Sequence, residues 1–314
     1  NLTLTGGTGA DSITLTSYNE DATIVSGGGA DSIVGSAQVD TVQFTTGDQL
    51  AAATTIEGNA GTDVIHLTTA DTTIVDADFT DVAEFETLTL TGASTAVLGL
   101  EAAAAGFETG AGTVKTGTGA TSITGANDKH FTIDTTSLAN DTALTLADSG
   151  TSNFTVTNLT GDLVSTALAG TLTVTTAENT GDNGIDIQTS VAATTVNTTA
   201  SQANTADTVT IDAENLADDT NLTINGAGAG AAGTIQITNF LGDLVTANAS
   251  SGAIAITLDT EVGGDVAIGA NANAGTDFTI TGGAGTNTVT TQAIAGDFIA
   301  TGTLSSILSV TGTS

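Results

Sequence analysis

Short runs of alternating apolar and polar residues follow one another through the first part of the chain: Ser12 to Thr16, Ala22 to Val25, Ser32 to Val34, Thr41 to Phe44, Thr54 to Ile56, Val64 to Leu67 and Thr72 to Val75. A period of two sends successive side chains to opposite faces, so each run predicts a short, half-buried strand. Val, Ile and Thr dominate the runs, and β-branched side chains suit a pleated surface. A Gly- or Asp-rich turn precedes each run, at intervals of about ten residues. The chain has no proline, as expected where most backbone donors are needed in ladders. Phe79 to about residue 100 predicts a turn and two strands, Glu101 to Ala105 a brief helical turn, and Gly106 to Gly119 a junction. Residues 1–100, 101–118 and 119–314 thus read as a first strand-rich segment, a junction and a second, more irregular segment.

The second segment repeats itself. Phe131 to Leu146 matches Val209 to Ile224 at nine of sixteen positions with an offset of 78, and Phe154 to Val164 returns as Ile235 to Val245 with an offset of 81. A fainter landmark, Gly296-Asp297-Phe298-Ile299, lies 54 residues after Gly242. Self-similarity of this kind predicts a solenoid, in which each rung sits on a neighbour like itself. Since 81 and 54 are multiples of 27, a rung of about 20 to 27 residues carrying two or three strands is expected. The inward positions by alternation are Phe131/Ile133, Phe154/Val156, Leu172/Val174, Ile235/Ile237, Ile254/Ile256, Val266/Ile268 and Phe278/Ile280. The expected fold is therefore all-β, an elongated parallel β-solenoid of the β-roll or β-helix kind.

Charge sharpens the picture. Thirty-five acidic residues stand against two lysines, Lys115 and Lys129, and no arginine, for a formal net charge of −33. Nothing here neutralises phosphates, which excludes nucleic acid as a partner, and there is no basic face for anionic lipid. No apolar run approaches the roughly 18 residues of a membrane-spanning helix, so membrane insertion is not expected. Hydrophobic residues make up 39% of the chain, and their alternation argues for folding despite the acidity. A folded chain with so many carboxylates repels itself unless cations sit among them, and calcium suits oxygen-only ligands. Cysteine and methionine are both absent. The first removes disulfides and soft-metal sites. The second suggests a processed or ordered segment of something larger, with any targeting signal outside it.

One motif gives the cation a place. Gly6-Gly7-Thr8-Gly9-Ala10-Asp11-Ser12-Ile13-Thr14 fits every fixed position of the nonapeptide G-G-x-G-x-D-x-U-x, a cation turn followed by a short strand. Glycines allow the tight turn, the aspartate supplies a hard carboxylate and the large apolar residue enters the core. Ser26-Gly27-Gly28-Gly29-Ala30-Asp31-Ser32-Ile33-Val34 repeats it with Ser26 for the first glycine. Gly58-Asn59-Ala60-Gly61-Thr62-Asp63-Val64-Ile65-His66 repeats it with Asn59 for the second. Asp40 follows Asp31 by nine residues, the step the repeat requires. The candidate calcium ligands are Gly6, Gly7, Gly9, Asp11, Gly27, Gly29, Asp31, Asp40, Gly58, Gly61 and Asp63, with Asp21 a further possibility. The competing reading is that Gly-Asp turns only punctuate strands, and it is preferred for Asp162, Asp243 and Asp297. Two later cousins have lost the acid, with Thr121 and Asn287 in its place, and read as turns that keep the shape alone.

On the motifs ending in Asp11, Asp31 and Asp63, the first hundred residues resemble the calcium-binding nonapeptide-repeat (RTX) family of secreted bacterial proteins. The order of features, ending in Phe85-Glu86-Thr87-Leu88, is similar to RTX-type surface-layer proteins of Gram-negative bacteria. This resemblance is specific over about 1–92 and compositional from 116 to 314. It implies a β-roll or β-helix that folds on calcium outside the cell, export by a one-step pathway, a cell-surface location, and self-association into a two-dimensional lattice. Cell-surface polysaccharide is a further partner of that setting. The alternatives are a repeat region of a large adhesin or an extracellular filament, contacting a host, a sugar or ice. Thr-x-Thr runs such as Thr87-Leu88-Thr89 bear on ice, although irregular rung lengths would spoil a regular array.

An enzyme is not expected. The chain has no Gly-x-Ser-x-Gly elbow, no His-Glu-x-x-His and no phosphate loop. His66 and His130 read as ordinary strand residues, and Lys115 and Lys129 as local ion-pair partners.

Overall fold

The computed structural model describes residues 1–108, 110, 112–177, 184–198, 208–217, 220–226, 234–240, 243–248, 254–258, 265–268, 278–281, 287–292, 298–301 and 308–313. The chain is an all-β parallel β-solenoid with little helix. By contacts it divides into two units, Asn1–Thr155 and Val156–Ser314.

In the first unit, one parallel sheet stacks the strands Leu2–Thr5, Ala22–Val25, Asp40–Phe44, Val64–Leu67, Thr87–Thr89, Thr113–Lys115 and His130–Asp134. The intervening strands form two further sheets. Ser12–Thr14, Ser32–Val34, Thr55–Glu57 and Val82–Ala83 stack first. Thr72–Ile74, Ser94–Leu98, Thr121–Gly125 and Ala143–Asp148 form the other. Most strands pair with the one two places on, so a rung there holds two strands and two corners. Thr55–Glu57, Val64–Leu67 and Thr72–Ile74 instead pair with the strand three places on, so the turn at which the sheets change over carries three strands. The register makes columns of like residues: Ile24, Val42, Ile65, Leu88, Val114 and Ile133 follow one another in register, each fully buried. Burying an aliphatic side chain contributes about 1.5–3 kcal/mol, so this column is a main source of cohesion in a chain that needs no disulfide.

Between the second and third sheets the winding changes, and larger side chains fill the gap. Phe79 and Phe107 meet edge-on with ring centroids 5.4 Å apart, and Phe85 is fully buried beside them in sequence. The expected helical turn is present as Leu100–Ala102, continuing into a wider turn at Ala103–Phe107. Asp76 caps it, its carboxylate accepting from the amides of Gly99 (2.7 Å) and Ala102 (3.0 Å). A second short helix, Gly47–Ala52, sits where no helix was expected.

In the second unit, Asp162–Ala167, Ile185–Gln188, Thr208–Asp212, Thr234–Phe240, Ile254–Leu258, Phe278–Thr281 and Phe298–Thr301 belong to one sheet. Leu172–Thr176, Thr194–Asn197, Asn221–Asn225, Asp243–Asn248, Asp265–Ile268, Asn287–Gln292 and Leu308–Thr313 form the other. The 54-residue step from Gly242 to Gly296 therefore joins strands of different sheets, Asp243–Asn248 and Phe298–Thr301, so this repeat counts strands and not whole turns. Gly242, Gly296 and Asp297 themselves lie outside the described residues, as do the side chains of Asp243, Val266, Ile268, Phe278 and Asn287. Phe131, Ile133, Phe154, Val156, Leu172, Val174, Ile235, Ile237, Ile254, Ile256 and Ile280 are buried as the alternation requires. On the outer face Asn225 Nδ2 donates to Asn197 Oδ1 at 2.8 Å, a rung-to-rung amide contact.

Candidate metal centre

The acids singled out by the nonapeptide lie at the corners, just ahead of strands. Asp11 and Asp31 precede the register-paired Ser12 and Ser32. Asp40 and Asp63 lie at the other corner, where Asp40 begins its strand and Asp63 immediately precedes Val64, the partner of Thr41. Val64 also pairs with Thr87, which brings Glu86 into the second column. Asp63 is thus not the third member of the Asp11 series, and the nine-residue step from Asp31 to Asp40 carries the chain across a rung. Asp21 is exposed at its turn.

Within both columns, rungs are linked by one repeated contact. The carboxylate of an upper rung accepts a hydrogen bond from the main-chain N–H of the rung below. Asp11 N donates to Asp31 Oδ1 (2.9 Å), Ala22 N to Asp40 Oδ1 (3.1 Å), Asp40 N to Asp63 Oδ1 (2.7 Å) and Asp63 N to Glu86 Oε2 (2.7 Å). Amide donors to ionised carboxylates make stronger hydrogen bonds than neutral pairs. The acids therefore bolt rung to rung even before a cation is considered.

The second carboxylate oxygen is not treated alike at every turn. Gly7 N donates to Asp11 Oδ2 (2.6 Å), and Ser36 N to Asp40 Oδ2, each from four residues upstream. At Asp31 the residue four upstream is Gly27, whose φ of 81° turns its amide aside, and the Ser26 hydroxyl donates to Asp31 Oδ2 instead. At Asp63 that residue is Asn59, also left-handed at φ 69°, and its side chain donates to the Gly35 carbonyl (2.8 Å). Gly58, next in line, has no hydroxyl to offer. Asp63 Oδ2 is left buried and without a hydrogen-bond partner.

Asp63 is fully buried, and its electrostatics follow. Burial pushes its carboxyl up to about 7, against the Asp40 amide, which favours the charged form, while the carboxylates of Asp40, Glu86 and Glu84 push it further up. Removing a carboxylate from water disfavours its ionised state unless donors or a cation replace the solvent.

Carbonyl oxygens crowd the same corner. A Cβ added to Gly58 would overlap the Glu84 carbonyl oxygen and lie 2.7 Å from Asp63 Oδ2. Glu84 itself holds φ 61°, a left-handed conformation uncommon outside glycine. An open hollow lined by Thr16, Ser36, Ala37, Asn59, Ala60 and Glu84 lies beside the turn. Among the described residues no three His, Asp or Glu side chains converge as a metal cage, so a cation here would need carbonyl oxygens as well as carboxylate, the donor set that calcium accepts. Asp63 meets that requirement on its unpartnered oxygen, whereas both oxygens of Asp31 and of Asp40 already accept hydrogen bonds.

The glycines named with these acids serve close approach: added Cβ atoms at Gly6, Gly27, Gly29 and Gly61 would collide with neighbouring carbonyl oxygens, while Gly9 faces open space and Gly7 meets its nearest atom at 3.7 Å. Glu86 and the Glu84 carbonyl were not anticipated. The signal for Glu86 was available in the two equal steps of 23 residues, Asp40 to Asp63 and Asp63 to Glu86.

Elsewhere Asp162 Oδ1 accepts from Asp186 N on the neighbouring strand of its sheet (3.2 Å), a contact between rungs. Thr121, in the acid's place, is buried and donates to the Gly119 carbonyl. Lys129 pairs with Glu108 at 3.4 Å, and His66 and His130 each meet a threonine hydroxyl at about 3 Å. No helix among the described residues is long and apolar enough to cross a membrane. Comparison with known family models, with characterised proteins and with solved structures finds no match to this chain.

Proposed function

We propose that this chain is a non-enzymatic extracellular structural protein, a solenoid stabilised by calcium at its Gly/Asp corners that associates with copies of itself into a surface layer. The observation that carries the calcium part is the buried, unpartnered carboxylate oxygen of Asp63 amid carbonyl oxygens. A net charge of −33 adds to it, because self-repulsion of this size weakens a compact state until counter-ions gather. The resemblance of the first hundred residues to RTX-type surface-layer proteins supports the extracellular setting and the lattice. Extracellular calcium modules bind with dissociation constants of about 0.1–1 mM, so folding would follow export into calcium-rich surroundings. Bound there, calcium would supply charge neutralisation and a bridge between rungs, with Asp63 and the Glu84 carbonyl as its first contacts. The carboxylates of Asp40 and Glu86 would hold the neighbouring amides in place.

Circular dichroism of the purified chain during chelation and back-titration tests the calcium part. Strand signal and melting temperature are expected to fall with chelator and to return with calcium in the millimolar range. Unchanged strand content and unchanged melting temperature would remove calcium from the reading.

A further inference from the structure

We infer that the cation-dependent corner of the first unit is a single site at Asp63, created by Asn59, and that the turns of Asp31 and Asp40 are closed by protein donors and do not need one. The inference rests on the calcium part of the reading above and narrows it from a set of motif turns to one. The comparison is internal to the chain. Four turns place a carboxylate at equivalent positions, and what differs is the donor offered to its second oxygen.

Where the residue four upstream keeps an ordinary backbone, as Gly7 and Ser36 do, its N–H reaches the carboxylate. Where that residue is left-handed the N–H is lost, at Gly27 and at Asn59 alike. Ser26 makes good the loss at Asp31 with its hydroxyl. Glycine at position 58 cannot, and the overlap of any added Cβ with the Glu84 carbonyl forbids a side chain that could. Asp63 Oδ2 is left buried with no hydrogen-bond partner, and the Glu84 carbonyl oxygen lies at the same corner, across Gly58. A buried carboxylate oxygen without a donor calls for a positive species, and oxygen-only ligands beside an open hollow favour a hard divalent cation. The substitutions that make turns two and three imperfect nonapeptides thus act oppositely: Ser26 makes its turn self-sufficient, while Asn59 makes its turn depend on metal.

Calcium binding by the full chain, measured by equilibrium dialysis and calorimetry at pH 8, tests this with three variants. Asp63→Asn is expected to lose one bound calcium relative to the unaltered chain, and Asp31→Asn to lose none. Asn59→Ser, which recreates the Gly-Ser pair ahead of Asp40, should keep the fold by circular dichroism. It should weaken that calcium about tenfold, the effect of one restored hydrogen bond to a charged group. Loss of calcium in Asp31→Asn but not in Asp63→Asn would overturn the assignment while leaving calcium stabilisation intact. No calcium bound by the unaltered chain would overturn both, as would a proton alone at Asp63, seen as proton release on raising the pH with no metal uptake.

Discussion

Calcium-free protein is expected to lose stability as the pH rises from about 4 to about 7, and Asp63→Asn to remove most of that loss. The carboxyl of Asp63 titrates near 7 in the folded chain against an ordinary value of 3.8. Between those two values the folded state holds a proton that the unfolded state has released, so stability is highest at the acidic end and falls with rising pH. Each pH unit in the window costs about 1.4 kcal/mol, about 4 kcal/mol across it at the limit. Burial is the main cause, and the neighbouring carboxylates of Asp40, Glu86 and Glu84 push the carboxyl further the same way. Asparagine keeps the shape, removes the titration, and offers an amide hydrogen to the Glu84 carbonyl. Urea midpoints at pH 4.5, 6 and 8 in chelator read the slope. A flat profile for the unaltered chain, or the same slope in Asp63→Asn, would contradict the placement of an uncompensated carboxyl at this corner. Saturating calcium at pH 8 is expected to restore stability to the unaltered chain and to leave the variant unchanged.

The second large effect concerns Gly58. Alanine there would drive its methyl group into the Glu84 carbonyl and toward Asp63 Oδ2. Neither neighbour can yield easily: one is backbone fixed by the Gly58 N–H to Ala83 carbonyl bond, and the other is held by the Asp40 amide. Overpacking with backbone displacement costs about 1–3 kcal/mol or more, to which separation of the two rungs adds. Gly9→Ala is the matched control, since nothing lies within 4 Å of its added Cβ, and it is expected to change stability by less than about 1 kcal/mol. Both glycines occupy fixed positions of the nonapeptide, so a motif-based reading treats them alike. Denaturant midpoints that moved equally for the two would show that the corner is not packed as described.

Much of the solenoid was legible from alternation because each inward column demands large aliphatics at every second position. Ile24, Val42, Ile65 and Leu88 announce themselves in that way. The helix Gly47–Ala52 was not legible: it is a single six-residue element led by glycine, without a side-chain cap, and its local composition does not distinguish it from a turn. The repeat in the second half was visible, but a rung of two similar strands lets sequence similarity recur at half-turns, which is why the 54-residue step joins different sheets. The site divides in the same manner. Asp63 stood out as a carboxylate in a glycine turn, yet nothing in the motif says that its second oxygen lacks a donor. That depends on the backbone of Asn59, where an asparagine tolerates the left-handed region by its own chemistry, and on Glu84, twenty-one residues beyond Asp63 and two before Glu86. Glu86 itself was hidden because a glutamate in Phe-Glu-Thr-Leu reads as part of a strand.

Electron microscopy of the purified protein before and after calcium addition tests assembly into a surface layer most directly. Dispersed particles are expected in chelator, and ordered sheets with a fixed repeat once calcium is added. Particles that take up calcium and gain stability, yet stay dispersed at every protein concentration, would contradict the surface-layer role.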